Sequence, residues 1–103
     1  MHTIGPITDF ADEGIYPINL EEQDYLIIKH DGQLFCIEDK CGHFGVPLST
    51  GRVRDNKIFC REHGIGFDLF DGHVRVSTGE ECDSIKVVEL IEQDGILYCK
   101  NLK

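Results

Sequence analysis

The chain is organised around two short stretches of sequence, CGHFGVPLSTG at residues 41–51 and CREHGIGF at residues 60–67. Each stretch brings one cysteine and one histidine close together, as C-x-H in the first and C-x-x-H in the second. A thiolate is a soft, anionic metal ligand, and an imidazole is a neutral, borderline one. Two of each, on two glycine-rich loops, predict a metal site to which both loops contribute.

The alternation of ligand types distinguishes two kinds of metal site. Structural zinc accepts the same four residue types, but its usual spacing places a pair of cysteines before a pair of histidines. Here cysteine and histidine alternate, so each loop can give one ligand to each iron of a [2Fe–2S] cluster in which two histidines replace two cysteines. A zinc site, and a chance grouping without metal, stay open as the less favoured alternatives.

Together with the PLSTG segment at residues 47–51, these stretches resemble the Rieske family. The resemblance is greatest to the small Rieske-type [2Fe–2S] ferredoxins of bacterial ring-hydroxylating oxygenase systems, and it covers essentially the whole chain. It implies one [2Fe–2S] cluster per chain. Cys41 and Cys60 would bind the inner iron, and His43 and His63 would bind the outer, solvent-facing iron.

The rest of the sequence predicts β-structure. Four pairs of turn residues separate short runs rich in β-branched and aromatic residues: Asp31-Gly32, Asp55-Asn56, Asp71-Gly72 and Asp94-Gly95. The strand pairs expected around them are residues 25–29 with 34–37, 52–54 with 57–60, 67–70 with 73–76, and 85–91 with 96–100, after one or two short edge strands before residue 24. No segment has the periodicity of an amphipathic helix of useful length. We therefore predict one all-β domain over residues 1–103, an antiparallel β-sandwich or barrel. The resemblance adds a small inserted cluster-binding subdomain at about residues 38–70.

Charge and composition exclude several classes of function. The net charge of −9, from 19 acidic and 10 basic side chains, disfavours nucleic acid as a partner because its phosphates would be repelled. The same charge suits a carrier that is steered to basic patches on its partners. No apolar run approaches the ~20 residues of a membrane span. The N-terminus lacks the features of a secretory signal, and five cysteines form no even framework, so we expect a cytoplasmic protein.

The remaining cysteines and histidines are predicted to take no part in the metal site. Cys36 lies in a predicted strand and is expected to be buried. Cys99 alternates with Leu97 in the last predicted strand and is expected to be a small core or edge residue, whereas Cys82 lies in a polar loop. The other histidines lie near the N-terminus or beside turn glycines, where exposure is expected and no carboxylate stands at an informative spacing: His2, His30 and His73.

Two departures from the respiratory Rieske proteins bear on the reduction potential. Those proteins carry a disulfide between the loops, where this chain has Val46 and Glu62. They also carry serine and tyrosine hydroxyls near the cluster, where this chain has Ile65 and Phe67. Hydrogen-bond donors stabilise the reduced cluster, so their absence implies a potential near the low end of a range of about −150 to +300 mV.

The sequence predicts no catalytic residue, since neither a nucleophile with its base nor an open metal position can be assembled. One-electron transfer is the remaining chemistry. The resemblance implies a soluble, monomeric ferredoxin that takes electrons from a flavin-containing NAD(P)H reductase and passes them to a terminal oxygenase. Both partners would dock at the tip formed by His43 and His63. Two rivals stay open, the small subunit of an assimilatory nitrite reductase and a binding module stabilised by zinc.

Overall fold

The computed structural model describes residues 2–40, 47–61, 64–77 and 83–100. Within these ranges the chain forms eleven β-strands and two 3₁₀ helices of three residues each. The strands are His2–Pro6 (β1), Ile15–Leu20 (β2), Gln23–His30 (β3), Gln33–Glu38 (β4), Arg52–Arg54 (β5), Lys57–Phe59 (β6), Gly66–Asp68 (β7), Val74–Val76 (β8), Val87–Val88 (β9), Leu90–Gln93 (β10) and Ile96–Cys99 (β11). The 3₁₀ helices are Ile7–Asp9 and Leu48–Thr50.

The strands form three antiparallel sheets, which confirms the predicted all-β class. The terminal sheet has the order β1-β11-β10, and the central sheet has the order β2-β3-β4-β9. The inserted sheet, β5-β6-β7-β8, lies in the sequence between two strands of the central sheet. No helix in the described ranges is long and apolar enough to cross a membrane.

The central sheet carries buried residues on both of its faces. Along β3, Leu26 and Ile28 pack against residues of the inserted sheet, whereas Tyr25 and Ile27 pack against residues of the terminal sheet. None of the four is more than 1% exposed. Because successive strand residues point to opposite faces, one run of apolar residues supplies two separate cores.

The predicted tight turns form as expected at the first two hairpins. Asp31 and Gly32 have φ angles of +52° and +80°, and Asp55 and Asn56 have φ angles of +52° and +61°. Positive φ at both central residues is the signature of the type I′ turn, whose twist matches that of the flanking strands. These turns fix the register of β3 with β4 and of β5 with β6.

The third hairpin is shorter than predicted. Strand β7 ends at Asp68, because the Asp68 carboxylate accepts a hydrogen bond from the Phe70 N–H at 2.7 Å. The Asp71 carboxylate likewise accepts from the His73 N–H at 2.9 Å. Such local bonds compete with a strand ladder and widen the turn. Strand β8 then continues the inserted sheet to Val76, beyond the subdomain boundary expected near residue 70.

The prediction of a single strand over residues 85–91 is wrong. Val87 and Val88 pair with β4 in the central sheet, whereas residues 90–93 pair with β11 in the terminal sheet. Between them the Glu89 carbonyl accepts a hydrogen bond from the Lys100 N–H at 2.9 Å. The chain therefore crosses from one sheet to the other at this residue. The sequence did not reveal the crossing, because both strands are short and follow each other with only Glu89 between them.

The two-sided burial of β3 can be tested with one matched pair of variants. Ile27→Ala and Ile28→Ala remove the same side chain from neighbouring, fully buried positions in opposite cores. Each should lower the free energy of unfolding by about 2–5 kcal/mol, as expected for an emptied core site. Urea denaturation measures both. A cost below about 1 kcal/mol for either variant would contradict the assignment of a packed core to that face.

Candidate metal centre

Cys60 lies at the base of the second predicted ligand loop, immediately after β6. Its N–H donates to the Ile65 carbonyl at 2.9 Å, and its own carbonyl accepts from the Gly64 N–H at 2.8 Å. Gly64 has a φ angle of +67°, which favours glycine over other residues. Backbone hydrogen bonds therefore hold Cys60 to Gly64 and Ile65, the two residues that follow the C-x-x-H segment in the sequence.

The first predicted ligand loop is held at its base by a side chain. The Asp39 carboxylate accepts a hydrogen bond from the Ser49 N–H at 2.9 Å, ten residues further along the chain. Leu48 beside it has no exposed surface. It belongs to the same apolar core as Cys60 and Ile65. The bases of both loops are thus anchored in one core, which is what a metal site shared between the loops requires.

Two glycines permit the close packing around β6. A Cβ on Gly51 would lie 2.2 Å from the Phe59 carbonyl oxygen, and a Cβ on Gly66 would lie 2.7 Å from the Phe59 ring. Neither contact is sterically possible, so both positions require the absence of a side chain. As a result the backbone at Gly51 lies against the Phe59 carbonyl, and the Phe59 ring lies over Gly66. Phe59 directly precedes Cys60 in the sequence.

Cys60 is the one predicted ligand within the described residues. The other three lie outside them: Cys41, His43 and His63. Val46, Glu62 and Cys82 also lie outside the described ranges. Among the residues that the structure does describe, no group of three His, Cys, Asp or Glu side chains could hold a metal ion. The complete four-ligand set stays a prediction.

The surroundings of Cys60 fit an iron–sulfur ligand. Its side chain is 1% exposed and packs in the core that contains Ile58, Ile65 and Phe67. A buried thiolate needs a compensating positive charge, and coordination to a metal supplies it. The site also presents apolar side chains at residues 65 and 67, as predicted, each without exposed surface.

Cys36 provides the contrast of a structural cysteine. It lies within β4, is fully buried and belongs to the other core, together with Cys99. Burial, with a smaller contribution from Cys99, raises the pKa of the Cys36 thiol to about 12. A thiol with that pKa stays protonated near neutral pH and is a poor metal ligand. The predicted burial of Cys36 is confirmed, Cys99 is a core residue, the first of the two alternatives expected for it, and neither forms a disulfide.

The predicted exposure of His30, without a carboxylate partner, is wrong. Its side chain is 16% exposed, and Nδ1 lies 2.7 Å from the Glu13 carboxylate. The Asn56 N–H points to Nε2 at 3.4 Å. With Nδ1 as the donor and Nε2 as the acceptor, His30 links the loop before β2 to the turn of the β5–β6 hairpin. Sequence separations of 17 and 26 residues gave no local signal of this link.

The histidines at the other two positions differ from each other. His73 is exposed, as predicted. His2 is 36% exposed, and its Nε2 lies 3.3 Å from the Glu21 carboxylate. Neither contributes to the site around Cys60.

Glu13 makes the stability of this link depend on pH. The pKa of Glu13 is lowered from its ordinary value of 4.5. The largest cause is the hydrogen bond from the Asp31 N–H, and the hydrogen bond from His30 is the second. A lowered pKa in the folded state adds stability above pH 4.5, and this stability is lost as the pH falls through the folded-state pKa.

We expect Glu13→Gln to be less stable than the wild type at pH 7, with the difference shrinking below pH 4.5. Thermal unfolding across this range measures it, and a difference that is constant from neutral to acidic pH would contradict the link.

Fold and site together define an all-β protein in which two loops, each predicted to carry metal ligands, are anchored at their bases in one core next to a small inserted sheet. The family described as Rieske [2Fe-2S] domain matches residues 1–99. The chain therefore belongs to the Rieske [2Fe–2S] family, and its cofactor is a [2Fe–2S] cluster.

Two curated relatives differ in how much of their length the chain covers. The putative toluene-4-sulfonate monooxygenase system iron-sulfur subunit of Comamonas testosteroni is 31% identical over 94% of this chain, which spans 29% of that protein. The 3-phenylpropionate/cinnamic acid dioxygenase ferredoxin subunit of Photorhabdus laumondii is 28% identical over 73% of this chain, which spans 70% of that protein. The chain thus spans less than a third of the first relative and most of the second.

Solved structures share the fold at low sequence identity. The Sphingomonas yanoikuyae B1 ferredoxin has a TM-score of 0.84 at 20% identity, with 96% of each chain covered. A complex of reduced oxygenase and oxidized ferredoxin in carbazole 1,9a-dioxygenase contains a chain with a TM-score of 0.84 at 22% identity, covering 95% of this chain and 99% of that one. At these identities the likeness establishes the fold alone.

Proposed function

We propose that this protein is a ferredoxin that carries single electrons on its [2Fe–2S] cluster, which is bound by Cys41, His43, Cys60 and His63. The observation that carries the proposal is the shared core at the bases of the two loops, where Leu48 packs with the buried Cys60. A cluster with four protein ligands on two irons has no open position for a substrate. The protein would therefore not be an enzyme by itself.

The residues of the chain would have separate tasks in this role. Cys41 and Cys60 would neutralise the inner iron, and the apolar core around Cys60 would keep water from it. His43 and His63 would bind the outer iron and bring the site close to a docking partner. We place the cluster-binding subdomain at about residues 38–70 of a single domain, with the strand at Val74–Val76 completing its sheet.

The proposed partners are a flavin-containing NAD(P)H reductase and a terminal oxygenase, both docking at the tip formed by His43 and His63. The oxygenase is supported by the similar proteins, which include a dioxygenase ferredoxin subunit and a ferredoxin in complex with its oxygenase. We further propose a monomer in the cytoplasm, where the unpaired thiols of Cys36 and Cys99 stay reduced. Reconstitution tests the role: NADH-dependent turnover of an oxygenase should require this protein in addition to the reductase.

A second candidate is that the sequence is the Rieske domain of a longer oxygenase subunit. The chain spans 29% of the Comamonas monooxygenase relative and also 29% of a carbazole 1,9a-dioxygenase terminal oxygenase from Nocardioides aromaticivorans. In that case the electron would pass to a second metal centre of the same polypeptide. The mass of the protein isolated from its native source separates this candidate from a ferredoxin of about 11.7 kDa.

The two remaining rivals can be separated by simple observations. A nitrite reductase small subunit would be encoded beside a siroheme-dependent reductase, and a ferredoxin of this class beside oxygenase subunits. A zinc module would be colourless, whereas a [2Fe–2S] protein absorbs visible light.

The ligand assignment predicts opposite outcomes for cysteine variants in the two cores. Cys60→Ser should abolish retention of the cluster, because a hydroxyl cannot replace a charge-neutralising thiolate. Cys36→Ser, the matched control in the other core, should retain the cluster and lose about 1–3 kcal/mol of stability through burial of an added hydroxyl. Visible absorption per mole of protein and iron content measure retention. A full iron complement in Cys60→Ser would overturn the assignment.

The apolar side chain at residue 67 allows a test of the low potential. Phe67→Tyr introduces a hydroxyl in the core that contains Cys60. If that donor favours the reduced cluster by about 1 kcal/mol, the potential rises by roughly 40 mV, since tenfold in the equilibrium constant is about 59 mV for one electron.

Phe59→Tyr is the control for this potential shift, because Phe59 is half-buried on the opposite face of the inserted sheet. Its potential should equal that of the wild type. A redox titration compares the three proteins, and an unchanged or lower potential in Phe67→Tyr with an intact cluster would show that Phe67 acts only by packing.

A further inference from the structure

The negative charge of the chain is not evenly distributed. Residues 52–61 carry four basic side chains and one acidic side chain, in a protein whose net charge is −9. This segment comprises the β5–β6 hairpin and the Cys60-Arg61 dipeptide at the proposed site. A positively charged segment therefore lies beside the cluster loop of an acidic protein.

Strand pairing places this charge on one face of the hairpin. Arg52 is opposite Phe59, and Arg54 is opposite Lys57. Since directly opposed residues in an antiparallel pair share a face, these four side chains lie together, away from the buried Ile58. The Arg54 guanidinium carbon lies 5.2 Å from the centre of the Phe59 ring, within the range of a cation–π interaction.

None of these cations has a carboxylate partner within the described part of the chain. Arg52, Arg54, Lys57 and Arg61 form no ion pair there, and Lys57 contacts only the Asp55 carbonyl, at 3.1 Å. By contrast, on β8 of the same sheet Arg75 is paired with both Asp68 and Asp71. The Asp68 carboxylate, which strand pairing places opposite Lys57, is thus engaged by Arg75, and the four cations of the hairpin are not ion-paired within the described residues.

The same side chains line two clefts beside Cys60. A cleft of about 540 Å³ is lined by Thr50, Gly51, Arg52, Phe59, Cys60 and Arg61. A second, of about 320 Å³, is lined by Arg52, Val53, Arg54 and Phe59. Arg52 and Phe59 are common to both clefts. The charged face is therefore continuous with the backbone that carries a proposed cluster ligand.

We propose that this arginine face, formed by Arg52, Arg54, Lys57, Phe59 and Arg61, docks an acidic patch on a protein that exchanges electrons with the cluster. The part concerning electron exchange rests on the proposed function. An acidic partner is repelled by the net negative charge of the chain and attracted by this concentration of positive charge, so the face favours one orientation of approach. Arginine beside a half-buried aromatic ring such as Phe59 is also a composition that contributes strongly to binding energy at protein interfaces. A nucleic acid, with charge along its whole length, would meet the acidic remainder of the chain.

The first test measures binding of an acidic polypeptide and needs no cluster. Fluorescein-labelled poly-L-glutamate is titrated with the protein at about 20 mM ionic strength, where charges act over the longest range, and fluorescence anisotropy reports binding. Arg52→Gln/Arg54→Gln should weaken binding about tenfold, whereas Arg52→Lys/Arg54→Lys should keep most of it. The control, Lys86→Gln/Lys100→Gln, removes the same charge outside the inserted sheet and should change binding less than about twofold.

Three outcomes of this titration would overturn the proposal. One is equal weakening of binding by Arg52→Gln/Arg54→Gln and by the control Lys86→Gln/Lys100→Gln, which would show that only the net charge of the protein matters. Another is no binding by the wild type. The last is tighter binding of a single-stranded thymidine oligonucleotide than of poly-L-glutamate at matched charge, which would assign the face to nucleic acid.

The second test asks whether the face governs electron exit. In stopped flow, one electron passes from the reduced cluster to ferricyanide, giving the oxidised cluster and ferrocyanide. The rate with this anionic oxidant should fall as ionic strength rises. At low salt Arg52→Gln/Arg54→Gln should react about tenfold more slowly than the wild type, and the control Lys86→Gln/Lys100→Gln should react at the wild-type rate. A rate that rises with salt in the wild type would place electron exit on an acidic surface and overturn the proposal. A wild-type protein without the spectrum of a cluster would count against the proposed ligands. The binding test, which needs no cluster, would still decide the role of the face.

Discussion

The packing of Leu48, Cys60 and Ile65 into one apolar core is the constraint on which the rest of the site depends. Leu48 belongs to the first loop, whereas Cys60 and Ile65 belong to the second. The core in which the three residues pack also contains Leu26 and Ile28 of the central sheet. A cluster bound by ligands from two loops needs both loops held at a fixed separation. Here the core, the Asp39–Ser49 bond and the Cys60–Ile65 bond hold the bases of the loops.

This arrangement of the loop bases depends on glycines at positions that other parts of the chain approach closely. At residues 51 and 66 a methyl group would overlap with Phe59, and at residue 64 the backbone has a positive φ angle. The glycines of the motif thus have distinct structural tasks, as spacers and as a turn residue. The Phe59 ring lies over Gly66 and is contacted by Arg54, so the packing beneath the cluster loop also shapes the arginine face outside it.

Features set by local sequence could be predicted, and features set by distant contacts could not. The type I′ turns follow from residues such as Asp31-Gly32, whose backbone preferences act over two positions. The crossing at Glu89 and the bond between His30 and Glu13 depend on which strands become neighbours in space. No local sequence pattern indicates which strands these are. The charge of residues 52–61 is visible in the sequence, but its concentration on one face follows only from the pairing of Arg52 with Phe59. For the site itself, the motif predicted four ligands, and the structure adds the environment of Cys60.

The identity of the ligands can be measured most directly by electron spin-echo envelope modulation on the dithionite-reduced protein. A nitrogen bound to iron couples strongly to the unpaired electron, whereas a cluster held only by sulfur gives no such coupling. We expect couplings from two coordinated histidine nitrogens, with one of them lost in His43→Cys and one in His63→Cys wherever a cluster is retained. A reduced cluster without strongly coupled nitrogen, or a protein with no paramagnetic signal after reduction, would contradict the two-cysteine, two-histidine site.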